Sequence, residues 1–310
     1  MDNLWERSIP FFELGLKEAE TVFTKYDKHI KILNYIPINT GCRNSNYKVS
    51  TNYGYFFLRI CPPNDISYKK EIIISETFYG HVKIPKLLYV SEDNATKRTC
   101  LIYEYIPGAS MQKMQIHNGK LEDDIITQVA KSAAYIHNSD ILFDTKMNED
   151  YPPFLTWYDS FLDKEMVMER LGQDIQKRVK TMLASKKGDL YKIDTYISFI
   201  HSDFRPANML IDNNHSVWIV DWEFSGFGHR LADIGQFFRY TDYFYPKQTK
   251  LFEDVYNHYS NIKLPMNWYE LSKLRDLVNP LQMLGANENL PKKYMDLKSL
   301  VIDTCNFFGY

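Results

Sequence analysis

The sequence lacks the features that mark membrane, secreted and nucleic-acid-binding proteins. It contains no uninterrupted apolar run of about 18 residues. The first residues include Asp2 and Glu6, where a secretory signal would carry a basic segment followed by an apolar one. The net charge of -2 provides no general attraction to phosphate polymers or anionic membranes. These absences predict a protein whose partners include no nucleic acid and no membrane.

Cysteine is scarce, and the chain shows no internal repeat or low-complexity tract. The four cysteines are too scattered for a zinc site or a disulfide framework, so a reducing, cytoplasmic location is the simplest expectation. The overall composition, 45% hydrophobic and 25% charged residues, is that of an ordinary globular protein. A chain of 310 residues exceeds the size at which one hydrophobic core keeps growing, which predicts two lobes or domains.

The hydrophobic pattern changes its period near residue 104. Up to that point the chain is rich in short β-type runs separated by turn residues, with one helical segment at Tyr68–Tyr79. Residues 51–54 read as a hairpin turn between two of the runs. This half is therefore predicted to form a small antiparallel sheet with one helix packed on it. The predicted strands are Ile30–Ile38, Tyr47–Thr51, Tyr55–Cys61, Leu87–Val90 and Cys100–Tyr105.

After Gly108 the apolar residues recur at three- and four-residue spacings, which predicts helices. The exception is Ile197–Trp222, which has the character of strands. The predicted helices comprise one around residues 125–136 and five further segments, Phe154–Leu171, Ile175–Ser185, Gln248–Asn261, Trp268–Leu284 and Tyr294–Phe308.

The strand-like segment Ile197–Trp222 contains the candidate catalytic residues. Residues 201–208 fit the pattern H-x-D-x-x-x-x-N, which protein kinases use as a catalytic loop, and a β-hairpin is predicted to follow. With the loop tip between Asn214 and His215, the register places Asn208 opposite Asp221. Two hard oxygen donors at the open end of a hairpin suit Mg²⁺. Asp203 lies five positions before Asn208, close enough to approach an acceptor hydroxyl.

The catalytic-loop segment, together with Ile219-Val220-Asp221-Trp222-Glu223, resembles the aminoglycoside phosphotransferase and choline kinase family. The resemblance covers nearly the whole chain. It implies an α+β, protein-kinase-like fold of two lobes, in which a small antiparallel β-sheet N-lobe carries one helix and a larger C-lobe is mainly helical. It further implies an N-lobe at 1–103, a hinge at 104–108, and a C-lobe at 109–310 that holds the catalytic loop, the metal site and the acceptor pocket.

The resemblance also implies roles for individual residues. Asp203 would act as the catalytic base or orient the hydroxyl, and Asn208 and Asp221 would hold Mg²⁺. Arg205 stands where the family often has His, so a cation beside the transferring phosphate is expected, with a solvent-facing Arg as the alternative. His201 and Asp233 are expected to support the loop without taking part in the chemistry.

The nucleotide lobe is predicted from three further features. The segment Thr40–Asn46 resembles the phosphate-covering loop of the family, with contacts expected at Gly41, Asn44 and Ser45, although it has one glycine only. Arg59 occupies the position of the usual kinase Lys, and the two are not interchangeable. Its expected ion-pair partner is Glu71, with Glu76 as the alternative.

The predicted hinge binds the base of the nucleotide. Backbone groups of Glu104 and Ile106 would pair with adenine or guanine, so the donor is expected to be ATP or GTP. Such contacts depend on position more than on side-chain identity.

The acceptor is less well defined by the sequence. Seven acids against two bases between Asn148 and Asp174 would suit a polycation such as an aminoglycoside, but two solvated helices exchanging charge explain them slightly better. Glu223 is a candidate for facing the acceptor. Aromatic candidates for a sugar or choline-like pocket are Trp157, Tyr158, Trp222, Tyr240, Tyr243 and Tyr245.

Three hypotheses follow. The leading one is a small-molecule kinase, with an aminoglycoside-type antibiotic as the favoured acceptor and choline, a sugar or another metabolite behind it. A protein kinase is the second, disfavoured by the absence of an A-P-E sequence and of a long activation segment. The third is a nucleotide-binding pseudokinase that acts as a regulatory module.

Overall fold

The computed structural model describes residues 5–39, 41–92, 94–141 and 153–310. The N-terminal part contains a five-stranded antiparallel sheet with strand order β1-β2-β3-β5-β4. All five predicted strands are confirmed, as their content of β-branched and aromatic residues led us to expect. Gly54, at φ +113°, closes the predicted hairpin turn after Thr51. The strands are β1 Ile32–Ile38, β2 Ser45–Thr51, β3 Gly54–Ile60, β4 Leu87–Ser91 and β5 Cys100–Glu104.

Two helices accompany this sheet, where the sequence predicted one. The additional helix, α1 (Leu16–Tyr26), precedes the strands and buries Ala19, Val22 and Phe23 against the sheet core. Their spacing of three and four residues is the signal that identifies this helix. The predicted helix, α2 (Tyr68–Phe78), turns Ile74 and Phe78 toward the core of the helical half. The sheet is therefore tied to the rest of the molecule by packing as well as by the chain.

The C-terminal part is mainly helical around one large apolar core. Within the described residues no helix combines the length and apolar character needed to cross a bilayer. The remaining elements are β6 Gly108–Ser110, α3 Met111–Asn118, α4 Asp123–His137, α5 Phe154–Leu162, α6 Glu165–Leu171, α7 Gln173–Ser185, α8 Lys187–Ile193, β7 Ile197–Ile200, β8 Met209–Asp212, β9 Val217–Ile219, β10 Gly226–His229, α9 Arg230–Phe237, α10 Pro246–Tyr259, α11 Trp268–Asp276, α12 Val278–Leu284 and α13 Pro291–Phe307.

Two predicted long helices are each divided in the structure. The segment 154–171 forms α5 and α6, because Lys164 adopts an extended conformation (ψ 132°) at the start of α6. The segment 268–284 forms α11 and α12. Pro280 has no amide hydrogen to donate to the carbonyl four residues earlier, so the helical bonding is interrupted there.

The hairpin β8–β9 is confirmed, but its predicted register is wrong by one residue. Met209 pairs with Ile219, and the Val220 amide donates to the Asn208 carbonyl at 3.0 Å, so Asn208 faces Val220 and not Asp221. The Asp212 side chain accepts the amides of Asn214 and Ser216 and closes a loop of three residues where a symmetric tip was expected. Asp221 therefore lies one residue beyond the paired end of the hairpin.

Candidate active site

A cleft of about 1350 Å³ lies between the sheet and the helical part. Its volume exceeds that of a typical single-ligand pocket, which is roughly 300–1,000 Å³. It can hold a nucleotide and an acceptor together. The predicted site residues that line it are Gly41, Asn44, Arg59, Glu71, Glu104, Ile106, Asp203, Arg205, Asn208 and Asp221.

The side chain of Ser45 is placed elsewhere, which corrects the phosphate contact expected from it. Its hydroxyl accepts the Phe12 amide at 2.8 Å, and the residue is buried. The alternation of β2 explains this position, because Ser45 and Tyr47 face the sheet core and Asn46 faces the cleft.

Side chains of α9 hydrogen-bond to the backbone of the catalytic loop and hold it in place. Both carboxylate oxygens of the fully buried Asp233 accept backbone amides, His201 at 2.8 Å and Ser202 at 2.9 Å. Gln236 accepts the Phe204 amide at 2.7 Å and donates to the Ser202 carbonyl. These contacts support the loop in the way predicted for Asp233. They also hold Ser202 at φ +68°, a conformation that non-glycine residues rarely adopt.

Asp203 is held at the cleft by two neighbours. The Asn208 amide nitrogen donates to its Oδ2 at 2.6 Å and to its backbone carbonyl at 3.0 Å. The Arg205 guanidinium approaches both carboxylate oxygens, with Nε 2.6 Å from Oδ1 and Nη2 3.1 Å from Oδ2. Arg205 is thus a cation beside the proposed base, and a purely solvent-facing position is excluded.

Asn208 and Asp221 fit the requirements of a magnesium site. The side-chain nitrogen of Asn208 donates to Asp203. The side-chain oxygen of Asn208 is therefore the atom that can coordinate a metal ion. Asp221 lies at φ +69° with its side chain partly exposed to the cleft. Carboxylate and amide oxygens are the protein ligands that Mg²⁺ prefers, with phosphate oxygens completing the set.

Arg59 bridges two carboxylates. Its Nη1 lies 2.7 Å from Glu71 Oε1 and its Nη2 lies 3.0 Å from Asp221 Oδ1, while the Tyr103 hydroxyl donates to the other Glu71 oxygen. Glu71 is thereby the partner of Arg59. Burial raises the pKa of Glu71, and the Arg59 charge opposes that shift. Burial would lower the pKa of Arg59, but the charges of Glu71 and Asp221 raise it well above its usual value.

Glu223 belongs to a second charged group at the same end of the cleft. Asn44 donates to its Oε2 at 3.2 Å, and the Nε of Arg43 lies 3.7 Å from that oxygen. Burial, with the negative charge of Asp221 adding to it, raises the pKa of Glu223 to about 8. Glu223 therefore connects the phosphate-covering loop with the metal-binding end of the cleft.

Sequence reasoning missed Arg7, which organises the phosphate-covering loop. Its guanidinium donates to the carbonyls of Gly41 (2.7 Å), Arg43 (3.0 Å) and Asn44 (2.9 Å). The amides of Ser8 and Ile9 both donate to the Cys42 carbonyl. With its carbonyls held on one side, the loop can present amides to a phosphate with one glycine only, Gly41 at φ +101°.

The same N-terminal segment reaches the helical part, and we call residues 5–12 the strap. Glu6 accepts the amides of Lys292 and Lys293 at 2.9 and 3.1 Å, at the start of α13. The Trp5 indole donates to Asp296 at 3.0 Å, and its ring lies under the Arg205 guanidinium, 5.7 Å from ring centre to carbon. The strap thus runs along the cleft from the phosphate-covering loop to the catalytic loop.

The predicted hinge lines the opposite end of the cleft. The Glu104 amide donates to the Lys86 carbonyl at 3.0 Å, so of its backbone groups only the carbonyl is left for a base. Ile106 and Gly108 also line the cleft, and Gly108 begins β6, which pairs with β8. The assignment of 104–108 as the hinge stays a prediction.

The described acids of the segment that suggested a polycationic acceptor do not line the cleft. Glu149 and Asp150 are not among the described residues, and the other five acids are all exposed and do not line the cleft. Of the aromatic candidates, Trp157 and Trp222 line it, whereas Tyr158 is buried and donates to the Leu274 carbonyl. The five exposed acids are Asp159, Asp163, Glu165, Glu169 and Asp174.

Comparison with known proteins bears on this arrangement. The sequence profile of the phosphotransferase enzyme family matches residues 34–271. No curated protein matches the chain. Many solved structures have similar folds, among them three nucleotide-bound aminoglycoside phosphotransferases. One is the GDP complex of a mutant aminoglycoside 2'-phosphotransferase IIIa, with TM-score 0.68 and 15% identity over 93% of this chain and 97% of that one.

The second is ADP-bound aminoglycoside phosphotransferase APH(2'')-Ib, with TM-score 0.64 and 19% identity over 96% of this chain and 100% of that one. The third is a mutant of APH(4)-Ia in a ternary complex with AMP-PNP and hygromycin B, with TM-score 0.64 and 16% identity over 95% and 97%. At these identities the likeness shows the fold, which is protein-kinase-like and has two lobes. Since the profile spans most of the chain, the chain belongs to the phosphotransferase enzyme family and is a phosphotransferase that acts on an alcohol group.

Proposed function

We propose that this protein transfers the γ-phosphoryl group of magnesium-bound ATP or GTP to a hydroxyl of a small molecule. The observation that carries the proposal is the hydrogen-bonded unit at the floor of the cleft. Asn208 holds the Asp203 carboxylate through its side chain at 2.6 Å and joins the strand that leads to Asp221 through its carbonyl at 3.0 Å. The proposed base and both proposed metal ligands therefore belong to one hydrogen-bonded unit.

In this arrangement Asp203 orients the acceptor hydroxyl and takes its proton as the oxygen attacks the γ-phosphorus. The bond to the β-phosphate oxygen breaks, and the nucleoside diphosphate leaves. Asn208 and Asp221 would hold Mg²⁺, which supplies charge neutralisation at the phosphate oxygens when it is bound. Arg205 lies close enough to Asp203 to stabilise negative charge on the transferring group.

The donor is bound by three parts of the N-lobe. The strap-supported loop around Gly41 and Asn44 would cover the phosphates, and Arg59, braced by Glu71, would hold Asp221 in position for the metal. Backbone groups at Glu104 and Ile106 would pair with the base. Neighbours solved with AMP-PNP, ADP and GDP support a nucleotide donor.

Aminoglycosides belong in the first acceptor panel, because similar proteins have been solved in complex with hygromycin B, gentamicin and spectinomycin. Choline and sugars belong there as well. A protein acceptor is disfavoured, because α9 begins at Arg230, nine positions after Asp221, and leaves no room for an activation segment.

The test is nucleotide consumption by purified protein with each acceptor, comparing wild type, Asp203→Asn and, as a control, Asp254→Asn on the exposed side of α10. Asp203→Asn should lower turnover by about 10²–10⁴ while nucleotide binding persists. Unchanged turnover would remove Asp203 from its role. Nucleotide binding without turnover of any acceptor would favour a regulatory pseudokinase.

A further inference from the structure

The strap, residues 5–12, forms neither helix nor strand, so its position depends on its contacts with other elements. These contacts are made with both lobes: the middle of the strap binds the phosphate-covering loop, and its first residues bind the C-lobe. We propose, resting on the phosphotransferase function above, that Trp5 and Glu6 are positioning residues. Through them the strap couples the binding of the nucleotide phosphates to the packing of Trp5 against Arg205.

The middle of the strap is fixed to the phosphate-covering loop. Besides its bonds to three loop carbonyls, the Arg7 guanidinium donates to the Ile9 carbonyl at 3.0 Å and lies 5.2 Å from the Phe11 ring centre. Both of these contacts are within the strap, so they fix the guanidinium relative to the strap backbone. The amides of Ser8 and Ile9 add bonds to the Cys42 carbonyl at 3.1 and 3.2 Å. The loop and the middle of the strap therefore form one hydrogen-bonded unit.

The start of the strap completes the amino-terminal end of α13. Leu290 occupies the capping position of this helix, and its apolar side chain cannot accept a bond from the first helical amides. The Glu6 carboxylate supplies the missing acceptor, with one oxygen for the Lys292 amide and the other for the Lys293 amide. A negative charge is also favoured at this end of a helix. Glu6 is thus a capping group for α13 that comes from the opposite end of the sequence.

Trp5 connects this anchored end to the catalytic loop. Its indole donates to Asp296 at 3.0 Å, and the Lys293 ammonium lies 5.3 Å from the ring centre. The Arg205 guanidinium lies 5.7 Å from the same centre, and its Nε is 2.6 Å from Asp203 Oδ1. The position of the indole therefore acts on the proposed base through Arg205.

The coupling follows from the covalent connection within the strap. Glu6 and Arg7 are consecutive, so their Cα atoms are about 3.8 Å apart. Once Arg7 is bound to the loop, the contact of Glu6 with α13 forms at a high effective concentration, and the reverse is equally true. Phosphates that stabilise the loop therefore favour the docked strap and the packing of Trp5 against Arg205. By linkage, the docked strap raises the affinity for nucleotide by the same factor.

The phosphate-covering loop has a second link to the C-lobe, from which the effect of the strap has to be separated. The Asn44 side chain donates to Glu223 at 3.2 Å. That link leads to Asp221, two residues before Glu223, whereas the strap leads to Arg205. A loss of affinity caused by a change at Glu6, which contacts α13 and not the loop, therefore reports the strap.

The experiment measures the binding of magnesium AMP-PNP by isothermal titration calorimetry. Glu6→Ala should weaken binding about tenfold, and Glu6→Gln, which keeps an oxygen that can accept an amide, should weaken it less. Because the effect passes through Arg7, the double variant Glu6→Ala, Arg7→Ala should bind no more weakly than Arg7→Ala alone. The matched control is Glu20→Ala on the exposed side of α1, which should leave the affinity unchanged.

Fluorescence gives a direct readout of Trp5. The chain contains five tryptophans, so the signal of Trp5 is the difference between wild type and Trp5→Phe. Magnesium AMP-PNP should reduce the acrylamide quenching of Trp5 in the wild type and leave it unchanged in Arg7→Ala. With an acceptor that is turned over, Trp5→Ala should lower kcat about tenfold, and Trp5→Phe, which keeps an aromatic ring for Arg205, should retain most of it.

Three results would overturn the proposal while leaving the phosphotransferase function intact. The first is a Glu6→Ala variant that binds magnesium AMP-PNP as tightly as wild type. The second is a double variant whose loss of affinity is the product of the two single losses, and the third is quenching of Trp5 that nucleotide does not change. Failure of the wild type itself to bind magnesium AMP-PNP would overturn the phosphotransferase proposal and this one with it.

Discussion

At the scale of single residues, Arg59 shows how this site departs from the usual kinase arrangement. A Lys ammonium is a point charge, whereas the planar guanidinium of Arg59 reaches Glu71 and Asp221 with different nitrogens, at 2.7 and 3.0 Å. Both of the groups that it joins face the cleft. The guanidinium therefore fixes the position of a proposed metal ligand relative to α2.

Two substitutions of Arg59 distinguish the effect of its positive charge from the effect of its planar, two-pronged shape. We expect Arg59→Met to lower the free energy of unfolding by about 3–5 kcal/mol, because Glu71 is left as a buried, unpaired charge. Arg59→Lys should retain much of the stability and still weaken magnesium nucleotide binding, since one ammonium cannot span both carboxylates. Urea unfolding and nucleotide titration measure the two effects. The double variant Arg59→Met, Glu71→Gln should recover stability, and a double variant no more stable than Arg59→Met alone would contradict this account.

His229 should make the stability of the protein depend on pH. Burial, with the Arg275 charge adding to it, lowers the pKa of His229 to about 3, from 6.5 in an unfolded chain. Between these values the unfolded state binds one proton more than the folded state, so stability rises with pH and is lost as the pH falls from 6.5 toward 3.

We expect this residue to contribute a slope of up to about 1.4 kcal/mol per pH unit to the free energy of unfolding in that interval. His229→Gln should reduce the slope, whereas His258→Gln, at an exposed position on α10, should not. Denaturant unfolding at a series of pH values provides the measurement. Parallel curves for wild type and His229→Gln would show that the residue does not contribute.

At the scale of elements, the contact between α9 and α11 depends on a glycine. A Cβ atom added at Gly235 would lie 2.3 Å from the Ser272 carbonyl oxygen and 2.9 Å from the Asp276 Cβ. Both obstacles belong to the body of α11, so they cannot move without moving that helix. Because α9 carries Asp233 and Gln236, its position determines that of the catalytic loop.

Gly235→Ala should therefore destabilise the protein by about 1–3 kcal/mol, the usual cost of overpacking. Gly188→Ala is the matched control, because the same added methyl on the exposed start of α8 meets no atom within 4 Å. There the better helix propensity of Ala should leave stability unchanged or raise it by up to about 1 kcal/mol. Thermal or chemical unfolding compares the two, and equal effects would refute the close-contact explanation.

The elements that could be predicted from the sequence are those whose signal is local. Short runs of β-type residues separated by turns identified every strand of the N-lobe sheet, and the H-x-D-x-x-x-x-N spacing placed Asp203 and Asn208 beside each other. The register of the hairpin could not be predicted, since it depends on side-chain bonds of Asp212 that select a three-residue loop.

Contacts distant in sequence left no pattern to detect. Arg7 binds carbonyls 34 to 37 residues away, and a carbonyl places no requirement on the side chain of its residue. The direction that the acidic segment faces could not be predicted either, because charge along the chain does not reveal which way a helix faces. Its described acids are exposed to solvent, and the cations that do line the cleft are spread along the sequence from Arg7 to Lys293.

At the scale of the whole molecule, the strap connects the two lobes independently of the predicted hinge. Arg7 contacts the phosphate-covering loop, and Glu6 contacts the start of α13. The two contacts are made by adjacent residues, so a change in the separation of the lobes has to be absorbed within the strap. The strap therefore links the donor and acceptor ends of the cleft.

Removing the contacts between Arg7 and the phosphate-covering loop should weaken nucleotide binding more than it slows phosphoryl transfer. We expect Arg7→Ala to raise the KM for nucleotide about tenfold with a smaller change in kcat, because the loss of three carbonyl contacts frees the loop. Arg98→Ala is the control, since Arg98 stacks on Phe12 of the same strap, 4.6 Å from its ring centre, without holding the loop. Steady-state kinetics at saturating acceptor measure both constants for each variant. A large loss of kcat with an unchanged KM for nucleotide would contradict the role of Arg7 in holding the loop.

The placement of Trp5 beside Arg205 has a practical consequence for handling the protein. An affinity tag fused ahead of Trp5 would be tethered to a residue that lines the cleft close to the catalytic loop. A tag fused after Tyr310 would be tethered to a residue that contacts Arg178 on α7, a helix that does not line the cleft. Preparations tagged at opposite ends should consequently be compared before any low turnover is attributed to the enzyme.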